Sequence, residues 1–112
     1  MYIPHLINGK TTNSHERFET RNPATQEVLA EVASGGVAEI AQAVDAAKTA
    51  FPKWANTPAA ERAKIMRRLG DLITANVQEI AQWESRDTGQ VISQTGKALV
   101  PRAADNFHFF AE

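Results

Sequence analysis

The spacing of apolar residues changes once along this chain, near Gly35-Gly36, and that switch limits the fold more than any other feature. Before it, short β-type runs (Tyr2-Ile3, His5-Leu6-Ile7, Arg17 to Thr20 and Val28 to Val32) alternate with turn residues at Asn8-Gly9, Asn13-Ser14 and Asn22-Pro23. Asn8-Gly9 is suited to a two-residue hairpin, because both residue types tolerate the positive φ of a type I′ turn. Phe18 and Thr20 alternate with Arg17 and Glu19, the period of a strand with one buried face.

After Gly36 the period is helical. Val37, Ile40, Val44, Ala47 and Phe51 recur three and four apart and form one stripe, which Pro52 should end or kink. Thr57-Pro58 reads as the start of a second helix, with threonine as cap and proline in the first turn; Ile65, Met66, Leu69, Leu72 and Ile73 form its stripe. A third helix should begin at Asn76, with Glu79 as capping-box partner, and stop at Thr88-Gly89. A less regular helical run follows from Val91, interrupted at Pro101. The fold class expected is therefore α/β, with strands over about residues 2–33 and about four helices over 36–112.

Composition narrows the function classes. Twelve basic and thirteen acidic residues leave a formal net charge of −1, which disfavours nucleic acid as a partner. No apolar run approaches the length of a membrane span, and the first ten residues lack the pattern of a secretory signal. With neither, the cytoplasm is the default compartment. The absence of cysteine excludes disulfides, thiolate metal sites and a cysteine nucleophile among these residues. His5, His15 and His108 lack the spacing of metal ligands. Glu84 and Asp87 form a carboxylate pair near a helix end with no visible nucleophile nearby. Arg62, Lys64, Arg67 and Arg68 make a basic helix face, balanced by Glu61 and Asp71, which reads as solvated or interdomain. Trp54 and Trp83 read as core or subunit contacts. An aromatic ending, Phe107 to Ala111, is unusual for a frayed terminus and suggests a chain cut within a larger fold, although a dimer interface would hide the same residues.

Four segments in order give a more specific reading. Asn22 to Val32, then Phe51-Pro52-Lys53-Trp54 with Arg62 and Ile65 to Leu69, then Glu84 to Gly89, then Arg102 to Phe107 with Phe109-Phe110-Ala111 resemble the amino-terminal part of aldehyde dehydrogenases. Within that family, Ala33 to Gly36, Phe51 to Asn56, Met66 to Ile73 and Pro101 to Phe107 resemble a branch that oxidises a semialdehyde in aromatic catabolism. Gln90 departs from the pattern, since many members carry lysine after Asp-Thr-Gly.

The resemblance implies an aldehyde dehydrogenase-like, Rossmann-like parent fold, with residues 1–112 as the N-terminal part of the cofactor-binding domain and the catalytic domain outside this chain. It also implies NAD or NADP as cofactor, an aldehyde as substrate, a homodimer or homotetramer, and a catalytic cysteine, glutamate and asparagine lying beyond Glu112. No catalytic or cofactor-binding residue is expected among these 112, so the chain alone should be inactive and should fold poorly or associate. One site of the family maps here: Thr20, Arg21 and Asp87 correspond to ligands of a structural K+ or Na+ ion, with Arg21 able to offer only its backbone oxygen. The plainer reading is that Asp87 accepts hydrogen bonds near a helix end or pairs with Arg86. The alternatives to an enzyme segment are a small helical protein-interaction module and, less in keeping with the charge, a nucleic-acid binder.

Overall fold

The computed structural model describes residues 1–112 and divides into two units, Met1–Asn56 and Thr57–Glu112.

In the first unit five short strands precede one long helix. β1 (Tyr2–Ile3), β4 (Arg17–Arg21) and β5 (Val28–Ala33) form one sheet in the order β1-β5-β4, with β1 parallel and β4 antiparallel to β5. β2 (His5–Ile7) and β3 (Lys10–Thr12) make a separate hairpin closed by Asn8 and Gly9. The turn is the expected one: Asn8 has φ 55°, Gly9 has φ 72°, and Ile7 pairs directly with Lys10.

The chain reverses at Asn22-Pro23 through a longer loop. Asn22 Oδ1 accepts from Ala24 N at 2.9 Å, Gln26 N donates to Asn22 O at 2.8 Å, and Gln26 takes a positive φ of 65°. The expected buried face of β4 is not realised within this chain, where Phe18 is 54% exposed and Thr20 half-buried. The sheet instead packs through β5, whose Ala30 and Ala33 are buried. A polar network ties the loop after β3 to this sheet. Ser14 N donates to Tyr2 Oη at 3.1 Å, Ser14 Oγ donates to Ser34 O at 2.9 Å, and the Arg17 guanidinium lies 4.0 Å from the centre of the Tyr2 ring.

Helix α1 (Val37–Asn56) continues through Pro52 rather than ending there. The missing N–H removes one hydrogen bond close to the C-terminal end, and only a single turn, Lys53 to Asn56, has to follow it. No residue of α1 is buried; Val37, Ile40 and Phe51 of its stripe are 87%, 63% and 65% exposed.

The second unit is helical. α2 (Ala59–Ala75) starts one residue later than expected. Pro58 occupies the cap itself, in an extended conformation, and its carbonyl accepts from Glu61 N and Arg62 N. Asn76 alone separates α2 from α3 (Val77–Thr88), and the expected capping box is absent. Its side chain serves the preceding helix instead, donating through Nδ2 to Leu72 O at 2.8 Å. Asn76 has φ −114° and ψ 17°, not the extended backbone from which a cap side chain reaches forward. Gly89, in the left-handed conformation at φ 79°, ends α3 as expected and donates to Ser85 O at 2.9 Å.

The last run is helical throughout. α4 (Ile92–Gln94) leads into a π-helical turn, Thr95–Leu99, and then α5 (Val100–Ala111). Pro101 does not interrupt it. Val100 N donates to Thr95 O, five residues back, and the wider turn relieves the proline ring of the carbonyl it would otherwise press upon. Thr95 is fully buried against α3: its hydroxyl lies 2.7 Å from Ser85 Oγ, 3.2 Å from Ile92 O and 3.3 Å from Ala81 O. With one proton to give, it donates to a carbonyl and accepts from Ser85. The rest of this core is small, Gly70, Ala81, Val100, Ala104 and Ala111. Burying a methyl gains on the order of 0.8 kcal/mol, so helices packed on such residues approach closely but gain little apiece.

Candidate functional site

Two of the three candidate cation ligands are neighbours on one hairpin. Thr20 pairs with Ala30 and Arg21 with Val28, so the register shifts between them and Leu29 of β5 is the extra residue. The Arg21 guanidinium is engaged elsewhere. Its Nη1 donates to Gln26 O at 3.0 Å, and its Nη2 pairs with the Glu19 carboxylate. What Arg21 could offer a cation is its backbone oxygen, since its guanidinium is itself cationic and bonded to Gln26 and Glu19. Asp87 belongs to the second unit, in the last turn of α3. Beside it the Arg86 guanidinium lies 5.5 Å from the centre of the Trp83 ring. No group of three or more His, Cys, Asp or Glu side chains converges anywhere in the chain.

The strand–turn–helix passage from β5 through Gly35-Gly36 into α1 is the place to test for a phosphate cradle. Helix N-termini attract anions because their first N–H groups are unpaired. Here Glu39 turns back, and its Oε2 accepts from Gly36 N at 2.8 Å. That bond, with a second from its own N–H, holds the Glu39 carboxyl below the usual carboxylate range; partial burial opposes the shift and the nearby His5 ring supports it. A carboxylate already occupies the position a diphosphate would need, and would repel one. The residues present do not fit a dinucleotide at this turn. The apolar spacing marks Gly35-Gly36 only as a change of period; the available signal for this cap is the glutamate three residues into the helix.

The remaining candidates are structural. His5 packs against Gly35, and its Nε2 is buried without a hydrogen-bond partner. His108 crosses from α5 to α2, where its Nε2 lies 3.0 Å from Asp71 Oδ1 and its ring lies over Gly70. Of the basic face, Lys64 pairs with Glu61 at 2.7 Å, and Arg67 reaches the carbonyl of Ala111 at 3.4 Å. Glu84 contributes its carbonyl to the Thr88 hydroxyl at 2.7 Å. Trp54 and Trp83 lie outside the core of their units, 42% and 40% exposed. No helix is long and apolar enough to cross a membrane.

The comparisons with known proteins agree with one another. Residues 10–112 match the profile of the aldehyde dehydrogenase family. The 5-carboxymethyl-2-hydroxymuconate semialdehyde dehydrogenase of Escherichia coli is 63% identical over 110 residues, covering 98% of this chain and 24% of that protein. The 2-aminomuconic semialdehyde dehydrogenase of Bos taurus is 37% identical, over 99% of this chain and 23% of that protein. Among solved structures, HpcC from Thermus thermophilus superposes with a TM-score of 0.95 at 40% identity, over 99% of this chain and 22% of its own. The NAD+ complex of an aldehyde dehydrogenase from Bacillus cereus gives 0.95 at 35% identity, over 99% and 23%. The chain thus spans about a quarter of the length of the relatives it matches. Its fold, its ordered motifs and its match over residues 10–112 agree: the chain belongs to the aldehyde dehydrogenase family.

Proposed function

We propose that this chain is the N-terminal part of the cofactor-binding domain of an NAD(P)-dependent dehydrogenase that oxidises a semialdehyde to the carboxylic acid, with 5-carboxymethyl-2-hydroxymuconate semialdehyde as the substrate. The observation that carries this reading is the 63% identity over 110 residues to the Escherichia coli enzyme of that name. NAD or NADP supplies the hydride acceptor in the parent enzyme. The chain's own contribution is scaffold, because it has no cysteine to form a thiohemiacetal and its one strand–glycine–helix turn is closed by Glu39. The parent enzyme is a cytoplasmic homodimer or homotetramer in this reading.

The test is NADH formation by the purified protein in which this chain is continuous with the remaining family length. The expected outcome is a higher kcat/KM for the 5-carboxymethyl-2-hydroxymuconate semialdehyde than for the 2-amino and 2-hydroxy analogues. Absence of NAD(P)H formation with all three would sink the proposal. In the same protein, Thr20 and Arg21 supply backbone oxygens and Asp87 a carboxylate to a structural K+ or Na+. Asp87→Asn should abolish the stabilisation that these ions give over choline at equal ionic strength; an unchanged ion response would remove the site.

A further inference from the structure

The geometry points to Asn8 as a site of spontaneous deamidation, through a cyclic imide closed by the amide nitrogen of Gly9. In this reaction the Gly9 nitrogen attacks Cγ of Asn8, the Asn8 amide nitrogen leaves as ammonia, and a five-membered imide forms. Water then opens the ring at either carbonyl, giving aspartate or isoaspartate. No electron changes hands, and water is the only co-reactant.

The structure separates Asn8 from the five other asparagines of the chain. The attacking nitrogen must be unhindered, and the residue that carries it is usually the obstacle. Gly9 has no side chain, and a Cβ built on it would meet nothing within 4 Å. Asn8 and Gly9 are exposed at the tip of the hairpin, between the paired residues Ile7 and Lys10, so the Gly9 amide lies outside the ladder. At Asn13 the corresponding nitrogen is occupied, since Ser14 N donates to Tyr2 Oη at 3.1 Å. Asn22 precedes Pro23, whose nitrogen carries no proton and cannot close the imide. Asn56 precedes the branched Thr57, which crowds the attack. The side chain of Asn76 is committed to Leu72 O at 2.8 Å. Asn106 lies inside α5, where the following amide belongs to the helix ladder.

The product does not suit the place. An isoaspartyl link inserts a methylene into a turn of two residues and breaks the Ile7 to Lys10 register. Either product sets a new carboxylate at a cleft of about 310 Å³ that Asn8 and Gly9 line with Leu6, Ile7 and alanines of α1. The modification therefore loosens the hairpin from the helix it packs against.

The test is peptide mapping by mass spectrometry of the whole chain, aged in mildly alkaline buffer, with an isoaspartyl methyltransferase to count isoaspartate. Asn8 should convert several-fold faster than any other asparagine, giving both products, and Ile7 and Lys10 should lose amide protection in step. Asn8→Asp, which keeps a residue tolerant of positive φ, should remove most of the ammonia released. Faster conversion at any other asparagine would overturn the assignment. So would an Asn8 that survives in the native chain but converts in denaturant, because the folded turn would then be protective.

Discussion

Gly70 shows how one missing side chain sets the spacing of two helices. A Cβ there would lie 2.4 Å from His108 Nε2 and 2.6 Å from His108 Cδ2, far inside contact distance. The imidazole lies over bare backbone and from that seat reaches Asp71 at 3.0 Å. Gly70→Ala must therefore push the ring away, and the loss of packing and hydrogen bond should destabilise the chain by about 1–3 kcal/mol. Urea denaturation of Gly70→Ala, His108→Ala and the double variant checks the mechanism. In the double variant the alanine has no ring to displace, so adding Gly70→Ala to His108→Ala should lower stability far less than adding it to the parent. Additive losses would contradict it. The glycine is plain in the sequence, but its partner lies on another helix and no local pattern links the two.

At the scale of elements, the start of α1 carries a pH dependence of known sign. Glu39 accepts from Gly36 N, and its folded pKa is lowered by that bond first and by its own N–H second. A carboxyl lowered on folding contributes stability above its unfolded pKa, and that contribution disappears as pH falls through the folded value. The amide signal of Gly36 should therefore titrate below the usual carboxylate range. Glu39→Gln should flatten that titration and leave the first turn of α1 equally open to hydrogen exchange at neutral and acid pH. A Gly36 amide that titrates in the ordinary glutamate range would contradict the account.

Much at this scale was legible because it is local. Asn8-Gly9 specifies its own positive φ values, Gly89 its own helix stop, and the apolar stripes their own helices. Asn76 and Pro101 differ from expectation for one reason: the local sequence shows what each residue does to its own helix, whereas the outcome depends on the neighbouring turn. Asn76 serves α2 because α3 begins without a loop, and Pro101 is accommodated by a π turn. The parallel pairing of β1 with β5 has no local signature either, since it joins residues far apart in sequence.

For the whole molecule the decisive observation is where the large apolar side chains lie. Ile65, Leu72, Phe109 and Phe110 are 55%, 51%, 72% and 72% exposed, while the buried residues are mostly alanine. Large apolar side chains left in water in this number favour association. The isolated chain should therefore sediment as larger species with rising concentration and show a concentration-dependent thermal transition. A sharp, reversible, concentration-independent melt would contradict that. The candidate cation site rests on the resemblance alone, because Asp87 is far in sequence from the adjacent Thr20 and Arg21, and those two would offer backbone rather than side-chain chemistry.

The sheet order has a consequence for the order in which the chain can assemble as it is made. Tyr2 pairs with Glu31 and Ile3 with Val32, so β1 has no partner until β5 has been added. At ordinary translation rates that interval is roughly two to six seconds, long compared with the microseconds in which the hairpin of β2 and β3 can close. β1 is therefore placed after the hairpin that follows it in the sequence. Until then it is an unpaired edge that a ribosome-associated chaperone could hold.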